Sequence, residues 1–271
     1  MLKLGVIDVL NVLPVYYGIL KNKIKLPVEI VKGKVTELNN KLNSGDIDIS
    51  VVSSFEYAKN HHLYYILPNL SVSADGPVGS IYLFLDKPIN KLSNDQIKLT
   101  AFSFTSVHLI QFLLSDYNIT YITNEKDKYT GEVLIADEAI KRFYHNKDAY
   151  VYDLSELWKQ KTGLPFVFAL WCVRREVYQN YQDDVSIIHE ALLTSKNSSK
   201  TYLPQMAEEY YQGIFPNRHS CEDYLRNLHY NFTPDYQKGF NLFQQEMVKI
   251  GKLSEIAPLK FIDKIDKSSI S

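Results

Sequence analysis

Residues 71–86, SVSADGPVGSIYLFLD, constrain this chain more than any other stretch. Ser71, Val72 and Ser73 alternate in polarity, as a half-buried strand does. Ala74-Asp75-Gly76-Pro77 then interrupts, and Ile81 to Leu85 runs apolar as a second strand. Gly76 permits a turn that a Cβ would resist, and Pro77 fixes φ and removes a donor. Gly79 lets another group approach the backbone closely. Ser80 therefore stands where a strand resumes. It is either a satisfied serine at a β-bulge or the floor of a ligand cleft, and the rest of the chain must decide.

Two further strand–helix patterns flank this stretch. Residues 3–8 read as a strand. Asn11 precedes Val12-Leu13-Pro14, and Asn before an early Pro starts a helix. Strands follow at 28–31 and 47–52, separated by a helix at 35–42 that Asn43-Ser44-Gly45 ends. Ser53-Ser54 caps the next helix. Beyond residue 86, strands are expected at 97–102, 119–122 and 133–136. Ser103-Phe104-Thr105-Ser106 opens a helix over 107–114, and Asp137-Glu138 precedes one at 139–144. Residues 124–131 read as a polar loop and 164–173 as a long apolar strand. Helices are then expected at 174–196, 203–212, 219–230 and 233–251, with Pro204 in a first turn, and 264–271 as a polar tail. Strands alternating with helices argue for an α/β fold with parallel sheets.

The repeated pattern predicts two lobes with a cleft where the chain crosses between them. The expected division is 1–86 with 175–271 as one lobe and 87–174 as the other. In open α/β sheets the ligand lies beyond the carboxyl ends of the strands. Here those ends carry Asn11, Ser53, Ser54, Thr105, Ser106 and Asp137, all leading into helix starts. Helix N-termini offer free N–H groups and a positive dipole end to an anion. Each of these residues singly reads as a cap; their convergence favours a binding site.

Composition excludes several alternatives. The chain has 271 residues, 45% of them hydrophobic and 23% charged, as in an ordinary soluble protein. Its formal net charge of −1 gives no general field for nucleic acid or an anionic membrane. Cys172 and Cys221 lie far apart, which fits a reducing compartment and no zinc spacing. No leader-like or membrane-spanning run stands out, so a cytoplasmic setting is expected.

At this point the motifs carry a resemblance. IDVLNVLPVYYG, LNSGDIDISVVSSFEYA, LPNLSVSADGPVGSIYLF, LTAFSFTSVHLIQ, LIADEAI and DLSELWKQKTGLPFVFALWCVR, in that order, resemble the chorismate dehydratases of futalosine-dependent menaquinone biosynthesis. The likeness runs from about residue 4 to 174; the helical C-terminal third shares only general character. Two departures stand out. Val9 replaces a usual aromatic residue, and Ala136 replaces a usual glycine. The resemblance implies a two-lobed α/β fold like type 2 periplasmic binding proteins, with the ligand cleft between the lobes. It implies chorismate as substrate, loss of water across C3–C4, and 3-[(1-carboxyvinyl)oxy]benzoate as product. It points to Asn11 and Ser80 as the central pair, with Asn11 orienting the ring near the leaving hydroxyl and Ser80 holding an oxygen from the cleft floor. No His or Glu in the motifs stands out as a base, so the substrate's enolpyruvyl carboxylate is expected to take the C3 proton.

Other signals are weak. His61-His62 cannot form a zinc pair on one helical face. His108 reads as packed or solvated, and Trp158 and Trp171 as core or lobe-interface aromatics. Asp137 reads as a general base or a cap. Residues 125–128, EKDK, read as a solvated loop. No nucleotide-cradling or nucleophile-elbow motif occurs, so no cofactor or metal is expected. Two other readings remain. One is a non-catalytic small-anion receptor of the same fold, which the missing export signal and lipid-anchoring Cys disfavour. The other is a later, naphthoate-forming enzyme of the same pathway.

Overall fold

A computed structural model of the chain describes residues 1–100, 104–124, 128–145 and 148–263. The expected polar tail and parts of the expected 97–102 strand, the 103–106 helix opening and the EKDK loop lie outside them. In chain order the elements are β1 (Lys3–Ile7), α1 (Leu13–Leu20), β2 (Glu29–Gly33), α2 (Val35–Ser44), β3 (Ile49–Ser53), α3 (Ser54–Asn60), β4 (Tyr64–Ala74), β5 (Ile81–Leu85), β6 (Asp95–Lys98) and α4 (Phe104–Leu113). There follow β7 (Ile119–Ile122), β8 (Gly131–Ile135), α5 (Ala136–His145), β9 (Tyr150–Asp153), α6 (Leu154–Thr162), β10 (Phe166–Arg174), α7 (Arg175–Asn180), α8 (Gln182–Tyr210), α9 (Arg218–Asn227) and α10 (Pro234–Lys249).

The strands form two five-stranded sheets, ordered β2-β1-β3-β10-β4 and β7-β6-β8-β5-β9. Each combines the expected parallel α/β unit with antiparallel strands, so the sheets are mixed. β10 runs antiparallel to β3 and β4, and β5 antiparallel to β8 and β9. The chain passes between the sheets at 75–80 and 163–165, earlier than the breaks expected after 86 and 174. The reason is the Gly-Pro interruption itself. It sends β5 into the second sheet, and β10 returns to fill the gap between β3 and β4.

Two helical expectations also change. Residues 182–210 form one helix with Pro204 inside it rather than at a helix start. β9 and α6 were not expected at all; the Asp153 cap and the Gly163 C-terminus at φ +74 delimit α6. Trp158 and Trp171 are fully buried. The Trp171 indole donates to Tyr16 Oη at 2.8 Å, and Tyr16 donates to the Gly5 carbonyl at 3.1 Å. These bonds satisfy polar atoms that would otherwise be costly to bury.

Candidate active site

Antiparallel pairing brings the site residues together. Ile81 at the start of β5 pairs with Ile135 at the end of β8. This sets Ser80 beside Ala136, whose N–H donates to the Ser80 carbonyl at 2.8 Å. Across the cleft, Ala169 of β10 pairs with Ser53 at the end of β3. A register shift against β4 skips Phe168. Such a bulge re-aims a side chain, and Phe168 lines the cleft.

The resulting cavity encloses about 110 Å³. Its polar lining residues are Asn11, Ser53, Ser80, Thr105 and Ser106, and its walls are aliphatic or aromatic, with Val9, Val78, Ile135 and Phe168 among them. Among the described residues none that lines it is acidic, basic or a histidine. Asn11 is not the cap that its position before Pro14 suggests. Val9 and Val12 occupy the N-cap positions, without side-chain cap bonds. Asn11 Oδ1 is instead buried, with no hydrogen-bond partner among the described residues. A buried acceptor left unmade costs about 1–3 kcal/mol, which a ligand O–H would recover.

The remaining expected residues divide. Ser53 caps α3, accepting the Glu56 N–H at 3.2 Å. Thr105 Oγ1 accepts the Phe55 N–H at 3.1 Å and so ties α4 to α3. The first donors of α3 are thus engaged within the protein. Ser106 is buried and lines the cavity. Ser54 does not: it is fully buried and donates to the Val167 carbonyl at 2.6 Å. Asp137 lies in a neighbouring cavity of about 200 Å³ with Asp8, Lys32 and Tyr210, beyond a wall that includes Val9. His108 packs on Phe55 at 4.1 Å between ring centroids, and its burial lowers its pKa.

Sequence reasoning missed the groups that hold the pair in place. The Tyr230 hydroxyl donates to the Asn11 carbonyl at 2.9 Å. Tyr224 lies against Ser80; burial raises the phenol's pKa and the Ser80 contact lowers it. Gly79, at φ +76, faces the same ring, where a Cβ would come within 3.3 Å. Asp153 Oδ2 accepts the Gly79 N–H at 2.7 Å, while Oδ1 caps α6. Burial raises the Asp153 pKa, and the N–H groups of Gly79, Val78, Glu156 and Ser155 oppose the shift. Only the Gly-Pro break marked this turn in the sequence. Nothing in the C-terminal third pointed to Tyr224 or Tyr230.

Among the described residues no group of three His, Cys, Asp or Glu side chains is placed to hold a metal, and no helix is long and apolar enough to cross a membrane. Two mixed sheets with a small cavity between their strand ends define a periplasmic-binding-protein-like fold. A protein from Archaeoglobus fulgidus superposes with a TM-score of 0.71 at 16% identity, covering 92% of this chain and 96% of that one. The alkanesulfonate-binding protein SsuA from Xanthomonas axonopodis pv. citri, bound to MOPS, gives 0.68 at 11% identity, covering 96% and 97%. More specifically, residues 2–249 match the family model described as menaquinone biosynthesis, and the chain belongs to that family. It is 29% identical over 233 residues to the chorismate dehydratase of Thermus thermophilus, covering 78% of this chain and 83% of that protein. It is 30% identical over 177 residues to the chorismate dehydratase of Campylobacter jejuni subsp. jejuni, covering 64% and 68%.

Proposed function

We propose that the protein is a hydro-lyase that converts chorismate to 3-[(1-carboxyvinyl)oxy]benzoate and water, the first step of futalosine-dependent menaquinone biosynthesis. The observation that carries the mechanism is the cavity lining: Asn11 and Ser80 converge there, and among the described residues no Asp, Glu, His or Lys joins them. The base then comes from the substrate. Its enolpyruvyl carboxylate takes the C3 proton, the C3–H electrons form the new ring double bond, and the C4–O bond breaks. The departing hydroxide receives that proton and leaves as water. Aromatisation drives the step, so the protein supplies geometry and a dry setting. Asn11 holds the C4 oxygen, and Ser80 holds the ring from the cleft floor. Ser53 and Ser106 complete the polar lining. Thr105 acts through the α3–α4 tie. Ser54 holds the Val167 backbone, and Asp137 serves the neighbouring cavity rather than this one.

The two sheets, with the helices on each, form the lobes of this reading. Cys172 and Cys221, both buried and free, support a cytoplasmic setting. The test is incubation of the purified protein with chorismate, followed by mass analysis. A product lighter by one water, with an aromatic absorbance, is expected. Saturable binding of unchanged chorismate would overturn the catalytic reading and leave a receptor.

A further inference from the structure

A larger basin is lined in part by Tyr230 and shares no lining residue with the candidate active site. It encloses about 560 Å³ between α8, the loop after α9 and the start of α10. Its lining includes Lys196, Lys200, Arg226, His229 and Asn231 and, among the described residues, no carboxylate. Arg226 is paired with Glu222, and the His229 ring meets the Tyr236 hydroxyl. The two lysines are different. Lys200 is exposed and has no ion-pair partner among the described residues. Lys196 is only 6% exposed. Its Nζ donates to the Asn69 carbonyl at 2.8 Å and to Asn231 Oδ1 at 2.7 Å.

Both acceptors of Lys196 are uncharged, and an ammonium has a third N–H to give. A buried cation without a counter-charge is expensive and rare, because desolvation is not offset. Burial accordingly lowers the Lys196 pKa to about 8. Asn231 positions the ammonium at the basin, and Lys200, one helical turn along α8, extends the positive field across its mouth. Asn197, Ser199 and Thr233 add polar groups around the rim. We propose that this basin is a second ligand site, for a compact oxyanion carrying two or more negative charges, with Lys196 as its buried anchor and Lys200 as its outer clamp.

Inorganic pyrophosphate and citrate serve as probes, one for phosphate chemistry and one for polycarboxylates. Calorimetric titration and thermal unfolding of the full chain read binding without any assumption about chorismate turnover. One probe is expected to bind saturably and raise the melting temperature, as any ligand specific to the folded state does at roughly a hundred times its Kd. Lys200→Glu should weaken that binding by about tenfold or more, since it reverses a charge at the mouth. Lys196→Met should abolish it. Lys91→Glu makes the same charge change beside the second sheet and should bind as the parent does. If neither probe binds, or if Lys200→Glu binds as tightly as Lys91→Glu, the site does not exist. The Lys200 comparison decides the matter even if Lys196→Met does not fold.

Discussion

The Tyr230 hydroxyl donates to the Asn11 main-chain carbonyl at 2.9 Å, joining residues 219 positions apart. The C-terminal helical third thus reaches into the site and fixes the backbone of a residue near the N-terminus. The Tyr230 backbone is fixed in turn, because its carbonyl accepts the Ser71 N–H at 3.0 Å. Tyr230→Phe keeps the ring and removes only the donor. One ordinary hydrogen bond contributes about 0.5–1.5 kcal/mol, so the variant should fold. A small displacement of a positioning group can lower the rate by about 10²-fold. We expect kcat to fall toward that limit while KM holds. Normal kcat would show that the bond supports the fold alone.

Asn11 itself separates capping from chemistry. A capping Asn replaced by Ala loses about 0.5–2 kcal/mol. Here the side chain caps nothing and its Oδ1 has no partner among the described residues. Asn11→Ala should therefore leave the unfolding midpoint unchanged or raise it. Loss of a preorganised polar group at the reacting centre should lower kcat by about 10²-fold or more. Near-normal turnover of chorismate in this variant would remove Asn11 from the mechanism.

Ala136 occupies the left-handed region at φ +52 while lining the cavity. A Cβ in that conformation costs roughly 1–2 kcal/mol. Glycine relieves the strain but gains about 0.4–1 kcal/mol of unfolded-state freedom. Ala136→Gly should thus stabilise the fold by up to about 1.6 kcal/mol. It keeps the N–H that holds the Ser80 carbonyl, so activity should persist. Chemical denaturation reads the difference, and a lower midpoint would contradict the strain argument.

Much of the architecture was legible because period and punctuation agree. The β1–α1 to β3–α3 run and the β8–α5 pair follow directly from apolar strands ending in helix starts. Ser80 was legible through the Gly-Pro break and its small neighbour. The sheet exchange was not, because β5 and β10 are apolar runs that fit either sheet equally well. Which strand partners them is set by long-range pairing, Ile81 with Ile135 and Ala169 with Ser53. Ser54 and Asn11 mislead in opposite directions. Both look like caps; the first is bonded inside the core and the second is left open at the cavity. Tyr224 and Tyr230 stand among 20 tyrosines, and no local pattern distinguishes them.

Lys196 gives a pH dependence with a definite sign. Its folded pKa of about 8 lies below the ordinary lysine value of 10.5. Between those values the unfolded chain holds a proton that the folded chain lacks, so stability from this residue rises with pH across the window. It is fully present above 10.5 and lost as the pH falls through about 8. Relative to Lys196→Met, the parent should therefore gain stability from pH 8 to 10. Parallel stability curves for the two proteins would refute the burial effect.

Thr105 lies on α4, which follows β6 of the second sheet, yet its hydroxyl accepts the Phe55 N–H at the start of α3, which follows β3 of the first. The side chain is buried, so water does not readily replace it. Thr105→Val keeps the shape and removes the acceptor, leaving a backbone donor orphaned at a cost of about 1–3 kcal/mol. That cost falls on the contact between α3 and α4, so it should loosen the cleft around the ligand. We expect KM for chorismate to rise several-fold, with kcat at saturation nearly unchanged, because Asn11 and Ser80 are held by Tyr230 and Tyr224 independently of this bond. Thr105→Ser retains the hydroxyl and should restore KM. If Val and Ser variants share the parent's KM, the bond stabilises the fold without controlling the cleft. If kcat falls instead, Thr105 acts on the reacting ring and not only on the α3–α4 contact.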